Sequence, residues 1–191
     1  MTDRELRSKI KTPVFSRIDV VKSFSKEPEN QINTQLYRMK RRGDLIGIKR
    51  GYYAYPDAKI DEFVLANKLY VPSYVSLESV LNISGVTPDI TSSVTSVTTI
   101  TSRGFKTPLG SFSYGKISKN LFFGYTRVLD PQSGLYYDIA SAEKALLDFV
   151  YIRRIRDLLE SRVDVSGLDR NVLASYSTYF PKWVRKVIEN A

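Results

Sequence analysis

The chain has 191 residues, 42% of them apolar, with 29 Lys and Arg against 20 Asp and Glu, and it contains neither cysteine nor histidine. That length suits one domain or two small ones, and the missing residue types exclude a disulfide framework, a Cys/His zinc site, a thiol nucleophile and a Ser-His-Asp triad. No stretch approaches the roughly 20 apolar residues of a membrane span, and the charged start Met1 to Lys11 is unlike a signal peptide, so a cytoplasmic, soluble protein without a membrane partner is expected.

The net charge of +9 is unevenly spread. Residues 1–56 hold 13 Lys and Arg against 6 Asp and Glu, a net of +7, whereas residues 57–191 are close to neutral at +2. A basic segment of this size points to nucleic acid or another anionic surface, the alternative being a merely solvated face.

In chain order, Glu5 to Ile10 has weak helical spacing and Pro13 ends it. Ser16 is placed to cap a short helix from Arg17 to Phe24. After the break Ser25-Lys26-Glu27, Pro28 suits the first turn of a longer helix, Glu29 to Arg42, that Gly43 closes in a left-handed conformation. Ile32, Leu36 and Met39 form its apolar stripe. The opposite direction carries Asn30, Thr34, Tyr37, Arg38 and Arg41, flanked by Gln31 and Asn33. Amides and guanidinium groups form bidentate bonds to base edges, and hydroxyls and cations hold phosphates, so this is the surface of a DNA-recognition helix. An ordinary amphipathic surface helix would be richer in Glu-Lys pairs. Next, Asp44 to Pro56 reads as strand, tight basic turn and strand, so residues 1–56 are predicted to be a winged helix-turn-helix with Lys49-Arg50-Gly51 at the wing tip against the phosphate backbone. Among its tyrosines, Tyr53 is expected inside.

Residues 57–191 read as a second unit of α+β class, with a small, mainly antiparallel sheet and C-terminal helices. A polar connection, Asp57 to Asp61, leads to a helix over Glu62 to Tyr70. Ser73 or Ser76 is expected to cap another through Leu77 to Leu81, ending before Gly85. Four strand-like runs follow, 93–101, 110–117, 121–128 and 134–139, rich in Thr, Val, Phe and Tyr. The Thr- and Ser-rich first run is expected at a half-exposed or edge position. Ser141 then caps a helix from Ala142 to about Arg156, with Glu143 in its first turn. Its basic end, Arg153, Arg154 and Arg156, reads as dipole complement and solvated surface, or as a second anion contact. From Asp169 two helical pieces, broken at Pro181, carry the apolar side Trp183, Val184, Val187 and Ile188.

Catalytic signals are weak. Asp138, Glu143 and Lys144 loosely match the acid-acid-Lys set of metal-dependent nucleases, but with the wrong spacing, and no glycine-rich phosphate loop is present. No catalytic residue, metal site or cofactor is expected.

The chain resembles the AbiEi-like antitoxins of AbiE (type IV) abortive-infection toxin–antitoxin systems. In the first unit the similarity rests on Leu36-Tyr37-Arg38-Met39-Lys40-Arg41-Arg42-Gly43-Asp44-Leu45 and Lys49-Arg50-Gly51-Tyr52-Tyr53. In the second it rests on Ser76-Leu77-Glu78-Ser79-Val80-Leu81, Thr95-Ser96-Val97-Thr98-Thr99, Thr107-Pro108-Leu109-Gly110, Phe122-Phe123-Gly124-Tyr125 and Ala140-Ser141-Ala142-Glu143-Lys144-Ala145-Leu146-Leu147-Asp148. The resemblance implies a winged helix over 1–56 that binds inverted repeats in its own promoter, a symmetry that suits two copies of the chain. It also implies an antitoxin domain over 57–191 that counters a nucleotidyltransferase-like toxin encoded alongside. DNA contacts carried over by position fall on Thr34, Tyr37, Arg38, Arg41, Lys49 and Arg50. The acids of Glu27-Pro28-Glu29, at the start of the recognition helix, depart from what a DNA contact there would favour. Two rivals are a stand-alone winged-helix regulator with a ligand- or partner-sensing second domain, and a nucleic-acid-processing enzyme.

Overall fold

Short polar residues start the first two helices. Thr2 and Ser16 each close a capping box, with Glu5 and Asp19 as the reciprocal partners, in α1 (Asp3–Lys9) and α2 (Arg17–Ser23). Each box satisfies amides that a helix start leaves open. The third helix, α3 (Glu29–Arg42), has the bounds its sequence predicts; Pro28 stands at the N-cap, one position before the first turn, and Gly43 ends the helix at φ +86°. In this computed structural model, which describes residues 1–190, the chain is mixed α+β with two sheets.

The smaller sheet contains a strand that the sequence reading lacks. β1 (Val14–Ser16) pairs antiparallel with β3 (Tyr52–Ala54), which pairs antiparallel with β2 (Ile46–Lys49). Three residues are too few to show a period, and only β3, nearly forty residues later, makes them a strand. One set of side chains, including Phe15 and Tyr55, packs with Leu6, Ile32, Leu36 and Met39 in a first core. Val14, Ile48 and Ala54, one from each strand, instead join a larger core built by residues beyond 57. The small sheet is therefore covered on both sides. Tyr53 is only half-buried, while Ala54 and Tyr55 take the interior positions.

Asp61 caps α4 (Glu62–Leu69). The larger sheet has six strands in the order β6-β7-β5-β4-β9-β8: β4 (Ser73–Val75), β5 (Val94–Thr98), β6 (Arg103–Thr107), β7 (Gly110–Lys116), β8 (Tyr125–Leu129) and β9 (Tyr136–Ala140). Three neighbouring pairs are antiparallel, while β4 with β9 and β5 with β7 are parallel, so the sheet is mixed with antiparallel pairs in the majority. Neither Ser73 nor Ser76 caps a helix. Ser73 begins β4 in the middle of the sheet, and α5 (Glu78–Ile83) starts after Leu77, which takes φ +60°. β5 is not an edge strand either: it lies between β7 and β4 and is buried at all five positions. Its two threonines are satisfied locally, with Thr95 Oγ1 donating to the Ser76 carbonyl at 2.7 Å and Thr98 Oγ1 to the Pro72 carbonyl at 2.7 Å, whereas Ser96 Oγ is buried with no hydrogen-bond partner among the described residues.

Helices α6 (Ala142–Arg153), α7 (Arg170–Ser177) and α8 (Lys182–Glu189) pack on one another, and α6 also meets α5 and β9. The approach of α6 to the sheet is close enough that a Cβ on Gly115 would lie 2.7 Å from Ile152 Cδ1. Val184 and Val187 of the C-terminal stripe are buried in the larger core. Among the described residues, no helix is long and apolar enough to cross a membrane.

Candidate nucleic-acid interface

The candidate interface is built on α3. Ile32, Leu36 and Met39 anchor one side in the first core at no more than 1% exposure, which turns Asn30, Thr34, Tyr37, Arg38 and Arg41 to solvent. Tyr37 is 60% exposed, a large aromatic surface with no ring partner among the described residues. Arg38 and Arg41 form no ion pair among the described residues, so their positive charge is uncompensated, whereas Arg42 is held by Asp44 through bonds of 2.9 and 2.6 Å. Thr34 Oγ1 donates to the Asn30 carbonyl at 2.9 Å, leaving its lone pairs outward.

Arg17, at the start of α2, was not among the sequence candidates. Its Nε donates to Asn33 Oδ1 at 2.6 Å and its guanidinium pairs with the Glu29 carboxylate. One cation thus neutralises an acid at the start of α3 and orients the Asn33 amide, whose NH₂ points away from that bond. Glu27 pairs with the α-amino group of Met1 at 3.2 Å. The two acids that interrupt the basic character of the helix start are both countered within the fold. Sequence spacing does not reveal the Arg17 bridge, because it joins residues 16 apart in different helices.

The hairpin divides the other two candidates. Arg50 is exposed at the turn, next to Gly51 at φ +77°. Lys49 turns the other way: its ammonium donates to the Leu69 carbonyl and lies 4.3 Å from the centroid of Tyr52 and 4.6 Å from that of Phe105. Burial, and secondarily the nearby Arg103 charge, lowers its pKa. Lys49 is the last residue of β2 and Arg50 the first of the turn, and their side chains part there. Lys49 thus ties the small sheet to the second unit.

The loose acid-acid-Lys set does not assemble. Asp138 pairs with Arg127 at 2.9 Å, Glu143 accepts from the Asp169 backbone amide at 3.2 Å, and Lys144 points inward. Lys144 and Asp148, one helical turn apart, form an ion pair with no side-chain exposure. The Asp148 carboxylate also accepts from Tyr74 Oη and Ser76 Oγ, both at 2.9 Å, and Lys144 Nζ donates to Tyr74 Oη at 2.7 Å. Burial pushes the Lys144 pKa down and that of Asp148 up. The quartet ties α6 to β4 and, being sealed, meets no solute. Among the described residues, no group of three or more acidic side chains is placed to hold a metal ion.

At the basic end of α6, Arg153 binds Glu78 through bonds of 2.5 and 3.0 Å, and Arg154 and Arg156 lie over the Trp183 ring at 5.7 and 4.4 Å. No known family model matches the chain, and no curated protein matches it.

Proposed function

We propose that residues 1–56 form a winged helix-turn-helix that binds double-stranded DNA, and that the protein is a DNA-binding antitoxin of the AbiEi kind that represses its own operon and counters a nucleotidyltransferase-like toxin encoded beside it. The order α1-β1-α2-α3-β2-β3 supports the first half: α2 and α3 are the helix pair, and the β2–β3 hairpin is the wing. The observation that carries the reading is the outward side of α3, where Arg38 and Arg41 are uncompensated beside Asn30, Thr34 and Tyr37, and where Glu29 is neutralised by Arg17. Guanidinium groups and amides on one helix face can bond guanine and adenine edges in the major groove, with Arg50 on the flanking backbone. Asn33 belongs to the same surface as a group oriented by Arg17. Two copies on an inverted repeat would present their α3 helices about 34 Å apart or a multiple of that. The antitoxin half rests on the second-unit motifs, from Ser76-Leu77-Glu78 to Ala142-Glu143-Lys144.

The test is a fluorescence-anisotropy titration with the DNA upstream of the gene. Wild-type affinity should fall steeply with salt as phosphate contacts release counterions, and Arg38→Ala and Arg41→Ala should each weaken binding by about 1–3 kcal/mol if they reach bases. Unchanged affinity in both variants would remove the DNA assignment. Co-expression with the neighbouring gene addresses the second half separately: failure to restore growth removes the antitoxin role and leaves the DNA result standing.

A further inference from the structure

We propose that the cleft between α7 and α8 binds a small amphipathic carboxylate: one carboxylate head on a compact hydrocarbon body. The proposal concerns the second unit and does not depend on DNA binding. The cleft encloses about 420 Å³, within the range of small-molecule sites. Val165, Leu173, Ala174 and Ile188 give it apolar walls, and Arg170 and Arg185 enter from α7 and α8.

Three observations select the ligand class. First, Arg185 Nη2 donates to the Thr178 carbonyl at 3.1 Å, which fixes the guanidinium, yet Arg185 has no ion pair among the described residues. A guanidinium without a counter-ion favours a carboxylate, whose two oxygens match its edge. Arg170 likewise has no ion pair among the described residues. Second, the hydroxyls nearby are already committed as donors, Ser177 to the Ala174 carbonyl at 2.8 Å and Thr178 to the Ser175 carbonyl at 2.7 Å. The guanidinium groups are thus the charged donors open to a ligand. Third, Glu189 also lines the cleft and pairs with neither arginine. Two cations and one anion leave a single positive charge, which suits a monoanion better than a phosphate dianion, and the apolar walls suit a hydrocarbon body better than a bare ion.

The experiment follows the arginine Nε–H signals of the ¹⁵N-labelled full chain by NMR while sodium phenylacetate or sodium hexanoate is added. The proposal requires a saturable shift of the Arg185 Nε–H signal, with the Thr178 and Glu189 amides moving in parallel. Dissociation constants at least tenfold higher are expected for Arg185→Gln and for Arg170→Gln, and for phenylacetamide with the wild type. Arg170 is exposed, so its variant keeps the test open if Arg185→Gln fails to fold. No saturable shift at Arg185 with either carboxylate overturns the proposal, as does equal binding by both variants. An equal response to phenylacetamide shows that charge is not read, and an equal response to inorganic phosphate shows that the apolar walls are not; either result overturns the ligand class.

Discussion

Lys49 and Arg50 are neighbours with the same charge and opposite fates, one bonded to the Leu69 carbonyl and the other exposed at a turn. Their roles separate in a salt titration of DNA binding. Arg50→Ala should reduce the slope of log K against log salt by about one unit, the effect of one lost phosphate contact, while Lys49→Ala should leave the slope nearly unchanged and lower the thermal midpoint instead. The buried quartet makes a second residue-scale prediction. Asp148→Asn or Lys144→Met removes one member of a sealed ion pair and should destabilise the fold by about 3–5 kcal/mol, read from urea unfolding. The double variant Lys144→Met with Asp148→Leu should recover much of that loss, because no uncompensated charge stays behind. Sequence shows Lys144 and Asp148 four residues apart but not their burial, since such helix pairs ordinarily sit in water. The partners that make burial tolerable, Tyr74 and Ser76, lie about seventy residues upstream. On α3 the reverse holds. The residues that face solvent there are those a helical period selects, because one continuous stripe fixes the whole rotation of the helix.

Elements whose boundaries are set by local chemistry were legible, and elements set by their neighbours were not. The Ser16 and Ser141 caps and the Gly43 stop each act within four residues, and each is where the sequence places it. β4 depends on β5 and β9, both distant in sequence, and β5 is polar in sequence yet interior because its Thr95 and Thr98 hydroxyls bond to the backbone beside it. Gly43→Ala should cost about 1–2 kcal/mol: nothing lies within 4 Å of the added methyl, so the penalty is that of a left-handed L-residue. The β8–β9 connection gives a pH-dependent counterpart. Ser133 Oγ, with the Gln132 and Ser133 amides, donates to the Asp130 carboxylate and holds its pKa below the ordinary 3.8. Between those two values the unfolded chain binds the proton more readily than the folded one, so stability rises with pH. The contribution is complete above 3.8 and fades as pH falls through the lower, folded value. Asp130→Asn should therefore flatten the acid side of a plot of urea midpoint against pH.

For the whole molecule, the small sheet decides how the two cores behave. Val14, Ile48 and Ala54 belong to the larger core while their strands carry the smaller one, and Lys49 adds a polar tie at the same boundary. Separating the units would expose those side chains, so calorimetry of the full chain should give one transition whose calorimetric and van't Hoff enthalpies agree. Two resolved transitions would mean that the shared packing is too weak to couple them. The division at residue 56 read from the sequence marks a change in charge more sharply than a change in packing. The C-terminal helices have an optical consequence as well. The chain has a single tryptophan, and Trp183 is stacked 6.2 Å from Tyr151, with the Arg156 guanidinium 4.4 Å above its ring. Indole emission responds to nearby charge and to water, so excitation above the tyrosine band reads the seating of α8 against α6 without any label, and a red shift would report the loss of that contact.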